Sequence, residues 1–196
     1  MSKIALTPNA SGSGTFTLAS PNSNTDRSLT LPDGAGTLDR LERTGNVLQV
    51  VQAWKSNSFT TTSASYVDIP DLSLTITPSS TSSKILLAWS FIIGSDDTRP
   101  DILFRLVRGS TNIALSDGTT EASTGHIGNE GEGTYDNYET HQAAGSYLDS
   151  PSSASALTYK MTIGNYTSGS NISVGRRWTN TSFITPSHLT AMEIAG

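Results

Sequence analysis

Hydrophobic positions in this chain recur mainly at every second residue, the period that places side chains on one face of a β-strand. Leu72, Leu74 and Ile76 alternate strictly up to Pro78. Tyr66, Val67 and Ile69 form a separate run before Pro70, and Val47, Val50 and Val51 open a strand reaching Trp54. Residues 84–93 (KILLAWSFII) are nearly continuously apolar, the pattern of a strand covered on both faces. Residues 102–108 and 112–115 flank Gly109-Ser110-Thr111 and predict a hairpin. Further strands are predicted at 157–163, 172–178, 182–184 and 189–194. Eight to ten short strands separated by Ser, Gly, Pro and Asn predict an all-β fold, with an antiparallel β-sandwich or jelly-roll head over residues 46–196.

The first 45 residues carry a different pattern. Ile4 and Leu6 precede Pro8-Asn9, Phe16 and Leu18 precede Pro21-Asn22, and Leu29 and Leu31 precede Pro32-Asp33. Each unit puts two apolar residues on one strand face and closes with a turn signal. Two such side chains cannot make a core in one chain, because strand pairs this small are marginal alone. Three copies wound about a common axis bury all six together, so residues 1–45 are expected to form an intertwined β-shaft in a homotrimer. The alternative is a polar arm that orders only on docking. Residues 37–43 (TLDRLER) have helical spacing but are too short to stand alone, and are expected to link shaft to head.

Composition narrows the function classes. The 196 residues include no Cys, which removes disulfide-stapled modules and Cys-based zinc sites. A formal net charge of −5 argues against nucleic acid as a partner, because phosphate binding needs clustered cations. No apolar stretch approaches the ~20 residues of a membrane span, and no signal peptide is predicted. Ser and Thr fill 57 positions, so the four N-x-S/T matches, at Asn9, Asn165, Asn171 and Asn180, carry no weight.

Six blocks, in order, resemble fibre proteins of tailed bacteriophages, especially those of marine and cyanobacterial phages. They are LTLPDGAGTL (29–38), NVLQVVQA (46–53), ITPSSTSSKILL (76–87), FRLVRGST (104–111), SYLDSPSSASALTYKMTI (146–163) and LTAMEI (189–194). The resemblance implies a virion structural protein made in the host cytoplasm and carried on the particle surface. It implies a homotrimer whose N-terminal segment meets other tail, baseplate or capsid proteins and whose head meets a host-surface glycan or protein. It implies no cofactor and no membrane insertion. Such fibres often run to several hundred residues, whereas the shaft repeat here starts almost at once, so a short fibre or a peg is expected. Two other roles stay open: a capsid decoration, cement or head-fibre protein without a receptor, and a fibre-borne polysaccharide depolymerase.

Residues 116–146 lack apolar periodicity and read as one long loop, a type usually functional or mobile. No Lys or Arg occurs between Gly109 and Tyr159, while Asp117, Glu121, Glu130, Glu132, Asp136, Glu139 and Asp149 do. Tyr135 and Tyr138 stand among Asp136, Glu139 and His141, a mix of aromatic faces and hydrogen-bonding groups that suits a saccharide. The candidate receptor-binding set is therefore His126, Glu130, Glu132, Tyr135, Asp136, Tyr138, Glu139 and His141. The bland reading is a solvated acidic face with a Tyr pair clipping the loop to the body. No hydrolase, metalloprotease, nucleotide or dinucleotide motif is present, and carboxylates flanked by Gly128, Gly131 and Gly133 are poorly fixed for catalysis. No catalytic or metal-binding residue is nominated. Trp89, Phe91 and Phe104 are expected in the core, and Arg176-Arg177 to pair with carboxylates of a neighbouring subunit.

Overall fold

A computed structural model describes residues 11–15, 17, 19, 22–26, 28, 43–96, 101–117, 122–128, 139–166, 170–179 and 181–196. The chain divides into two units, Met1–Leu38 and Asp39–Gly196. All six expected shaft contacts, Ile4, Leu6, Phe16, Leu18, Leu29 and Leu31, lie outside the described residues, as does most of the 37–43 link. In the first unit the described residues are exposed, and the Thr25 amide donates to Ser23 Oγ at 3.2 Å.

Among the described residues the second unit contains eleven strands and no helix. They are β1 (Val47–Lys55), β2 (Phe59–Thr61), β3 (Val67–Ile76), β4 (Lys84–Ser95), β5 (Asp101–Arg108), β6 (Thr111–Ile113), β7 (Gly125–Gly128), β8 (His141–Asp149), β9 (Leu157–Asn165), β10 (Ile172–Val174) and β11 (Ser187–Ile194). One sheet runs β1-β11-β4-β10-β2, with β8 also paired to β4; the other runs β3-β9-β5-β6, with β7 also paired to β5. All pairings are antiparallel.

Period-2 alternation builds the core between the sheets. Ile85, Leu87, Trp89, Phe91 and Ile93 from β4 face Leu72, Leu74 and Ile76 from β3 and Tyr159, Met161 and Ile163 from β9 in one buried cluster. Phe91 meets Phe104 edge to face at 5.4 Å. Each buried Leu or Ile contributes about 1.5–3 kcal/mol from removal of apolar surface from water. Trp89, Phe91 and Phe104 are core residues, as the sequence predicts.

Several elements differ from expectation. The runs on either side of Pro70 form one strand, β3, whose pairing with β9 shifts register between Asp68 and Ser73. Its position at the sheet edge tolerates the missing Pro70 amide, and Asp71 takes a left-handed φ of 65° in the irregularity. The strand expected at 172–178 stops at Val174 because Gly175 turns the chain at φ 82°, and the 182–184 strand reduces to a bridge between Arg176 and Ile184. The supposed single loop 116–146 holds β7 and the first six residues of β8. Finally, β4 is covered on one face only; Leu86, Ala88, Ser90 and Ile92 on the other remain half-buried.

Candidate functional site

The outer face of the β3-β9-β5 sheet carries a cleft of about 360 Å³ lined by Ala64, Ser65, Tyr66, Leu103, Arg105, Gly164 and Tyr166. Its floor is β5, where Leu103 and Arg105 alternate outward while Ile102, Phe104 and Leu106 face the core. One wall is the 62–66 turn, fastened when the Asn165 amide donates to Ser63 O at 3.0 Å and Ser63 Oγ donates to Ser65 O at 2.8 Å. That turn lies so close over Gly164 that a Cβ there would sit 3.2–3.3 Å from the Ser65 carbonyl and the Tyr66 nitrogen. The other wall is Tyr166, 59% exposed, its amide donating to Asp101 O at 2.8 Å.

Inside the cleft the Arg105 guanidinium lies 3.6 Å over the Tyr66 ring, and Arg105 Nε donates to Ala122 O at 2.8 Å. The stacked, tethered guanidinium is planar and always charged, so it is preorganised for hydroxyl or carboxylate groups. The exposed Tyr166, which lines the same cleft, offers an aromatic face for the C–H side of a sugar.

His126 from the sequence-derived set belongs to this same face. It pairs with Leu103 across β7–β5, and its Nε2 lies 3.1 Å from Asp101 Oδ1. Gly128, the cross-strand partner of Asp101, leaves the room that the His126 ring occupies. Glu139 and His141 sit elsewhere, with Glu139 Oε2 4.0 Å from His141 Nε2 at the start of β8 in the other sheet. Glu130, Glu132, Tyr135, Asp136 and Tyr138 lie outside the described residues. Among the described residues no three His, Asp or Glu side chains gather into a metal-binding group.

Two buried carboxylates have structural partners instead. Asp149, counted with the acidic run in the sequence, accepts from Arg108 Nη1 at 2.7 and 2.8 Å and from the Tyr159 hydroxyl at 2.7 Å, joining the two sheets. That hydrogen bond raises the Arg108 pKa, while burial first and then the bond to Asp149 raise that of Tyr159. Both therefore act as donors across the ordinary pH range. Glu193 accepts from Ser79, Ser83 and Gln49 at the other end of the unit. Arg176 donates to the Arg177 and Trp178 carbonyls at 3.0 and 2.6 Å and lies 5.4 Å over the Trp178 ring, and Arg177 lies 4.7 Å over Phe183.

The cleft residues Tyr66, Arg105 and Tyr166 were not among the sequence candidates. One signal for them is visible in the sequence: Arg105 is the single charge inside the apolar run ILFRLV, and a cation in a half-buried strand must face outward. Tyr166 carries no comparable mark.

No family model matches the chain, and no curated protein matches it. Among solved structures, infectious bursal disease virus Gx strain is 13% identical over 87% of this chain and 42% of that chain, with a TM-score of 0.39. The infectious bursal disease virus VP2 subviral particle is 12% identical over 76% of this chain and 37% of that chain, with a TM-score of 0.32. The chain spans less than half the length of either, and likeness at this level carries no argument about function.

Proposed function

We propose that the chain is a non-enzymatic virion structural protein of a tailed phage. Residues 1–45 gather three copies and fix them to the particle, and residues 46–196 form heads that attach to a host-surface glycan. The observation that carries the attachment reading is the cleft in which Arg105 is stacked on Tyr66 and which the exposed Tyr166 also lines. The ordered blocks of fibre-like sequence supply the virion context. Attachment then works by multivalency, several weak sites on one particle acting at a high effective concentration.

Purified full-length protein is expected to compete with phage for adsorption to host cells. Tyr166→Ala is expected to weaken that competition about tenfold, the loss of one stacking contact, with an unchanged melting temperature because the ring is solvent-exposed. Wild-type protein that fails to compete points to a decoration or cement role. Release of reducing sugar from host polysaccharide points to a depolymerase.

A further inference from the structure

Among the described residues, no element packs over the outer face of the β1-β11-β4-β8 sheet. Cross-strand register lays it out as three rows of four: Val50, Met192, Leu86, Leu148; then Gln52, Thr190, Ala88, Ser146; then Trp54, His188, Ser90, Ala144. Val50 is 57% exposed, Trp54 58% and Leu148 47%. No Asp, Glu, Lys or Arg occurs in these rows, although the chain carries a net charge of −5. The outer face of the opposite sheet bears Asp68, Lys160, Asp101 and Arg105, and its Lys160 Nζ pairs with Asp68 at 2.8 Å.

A face without Asp, Glu, Lys or Arg gains nothing from an oppositely charged partner and meets no repulsion from its own copy. Chain continuity points to the same occupant. Residue 45 ends the repeat segment and β1 begins two residues later. The Gly45 amide donates to Ala195 O and the Ala195 amide to Asn46 O, both at 2.8 Å, so the chain joins the sheet at the Val47–Ile194 end of this face. Copies gathered through residues 1–45 therefore enter their heads beside β1.

We propose that this face, centred on Val50, Trp54, Leu86 and Leu148, is where the heads of sister copies of this chain meet. Four strands about 4.8 Å apart over about five residues give roughly 300 Å² per copy, below the roughly 800 Å² of a standard self-sufficient interface. The contact thus rests on the reading that residues 1–45 hold the copies together. It also explains why the sequence of β4 looks like a strand covered on both faces.

Because the chain has no Cys, Val50→Cys places one thiol on the face, and Asn112→Cys, exposed on β6 of the other sheet, serves as control. Full-length variants are treated with a short bis-maleimide, and mass is measured by light scattering. The expected result is a multimeric mass, covalent dimers from Val50→Cys at every dilution that preserves that mass, since one thiol per copy allows one crosslink, and none from Asn112→Cys. A multimeric mass with Val50→Cys uncrosslinked, and labelled by a bulky maleimide as fast as Asn112→Cys, overturns the face while leaving the gathering segment intact. A virion protein as the true occupant gives this same outcome in purified material. A single-copy mass overturns both.

Discussion

Glu193 shows how a single residue sets part of the protein's response to acid. Its side chain is fully buried, and burial alone raises a carboxyl pKa. Hydrogen bonds outweigh that penalty: Ser79 donates through Oγ and its amide, both at 2.7 Å, Gln49 through Nε2 at 2.5 Å and Ser83 through Oγ at 2.7 Å. Together they hold the carboxyl at about 2 against an ordinary value of 4.5. The folded state therefore binds this proton less readily than the unfolded chain. The stabilisation is complete above about pH 4.5 and is lost as pH falls toward 2. Allowing for the open cleft that Ser79 and Ser83 also line, the contribution is on the order of 2 kcal/mol. Chemical denaturation at stepped pH is expected to show wild type losing about that much more stability than Glu193→Gln between pH 5 and 2, with Glu193→Gln the less stable of the two at pH 7.

Asp149 makes the complementary point, because its partners fail unequally. Tyr159→Phe removes one donor and leaves the paired Arg108, a cost of about 1 kcal/mol. Asp149→Asn removes the charge that pairs with Arg108 and turns one of the two acceptor oxygens into a donor facing the guanidinium or the Tyr159 hydroxyl, a cost of about 3 kcal/mol. Urea midpoints measure both. Neither side chain lines the cleft proposed to bind glycan, so any such binding by the folded fraction is expected to stay at the wild-type level.

At the scale of elements, legibility followed side-chain size. The strands β3, β4, β9 and β11 could be read because large apolar residues recur in them. The strands β7 and β8 could not, because Gly, Ala, Ser, Gln and His make up most of GHIG and of HQAAGSYLD. These small residues have a physical cause. Gly125 is the cross-strand partner of Phe104, and Gly145 of Trp89, and in each pair the aromatic ring occupies the space a Cβ would take. The glycines that read as loop signals are places where a buried ring lies across the neighbouring backbone. Gly145→Ala is thus expected to overpack Trp89 and cost about 1–3 kcal/mol, measured as a fall in melting temperature. Ala144→Ser, one residue along and facing outward, should leave it unchanged. The cleft was harder to read for a related reason: its walls come from the 62–66 turn, β5 and the residues after β9, which only the sheet register brings together.

At the scale of the molecule, the two outer faces have opposite characters, and the proposed function uses both. The face with the Arg105–Tyr66 stack is charged and polar, and suits a hydrated ligand. The other face has no charge in its central rows and suits another copy of the chain. If copies are held together while each keeps its own cleft open, binding depends on how ligands are presented. A single soluble repeat unit of the host glycan engages one cleft at a time, whereas a dense glycan surface engages several. Linked sites of this kind raise apparent affinity by about 10²–10⁴ without any new contact. Full-length protein measured by calorimetry against the soluble unit, and by surface binding against the immobilised polymer, is expected to differ by a factor in that range. Val50→Lys combined with Leu148→Lys places like charges on the head contact and is expected to narrow the gap while leaving the calorimetric affinity of the single cleft unchanged. Equal affinities in the two formats for wild-type protein would mean that the clefts act one at a time, and the multivalent mechanism would fail even if the cleft itself binds sugar.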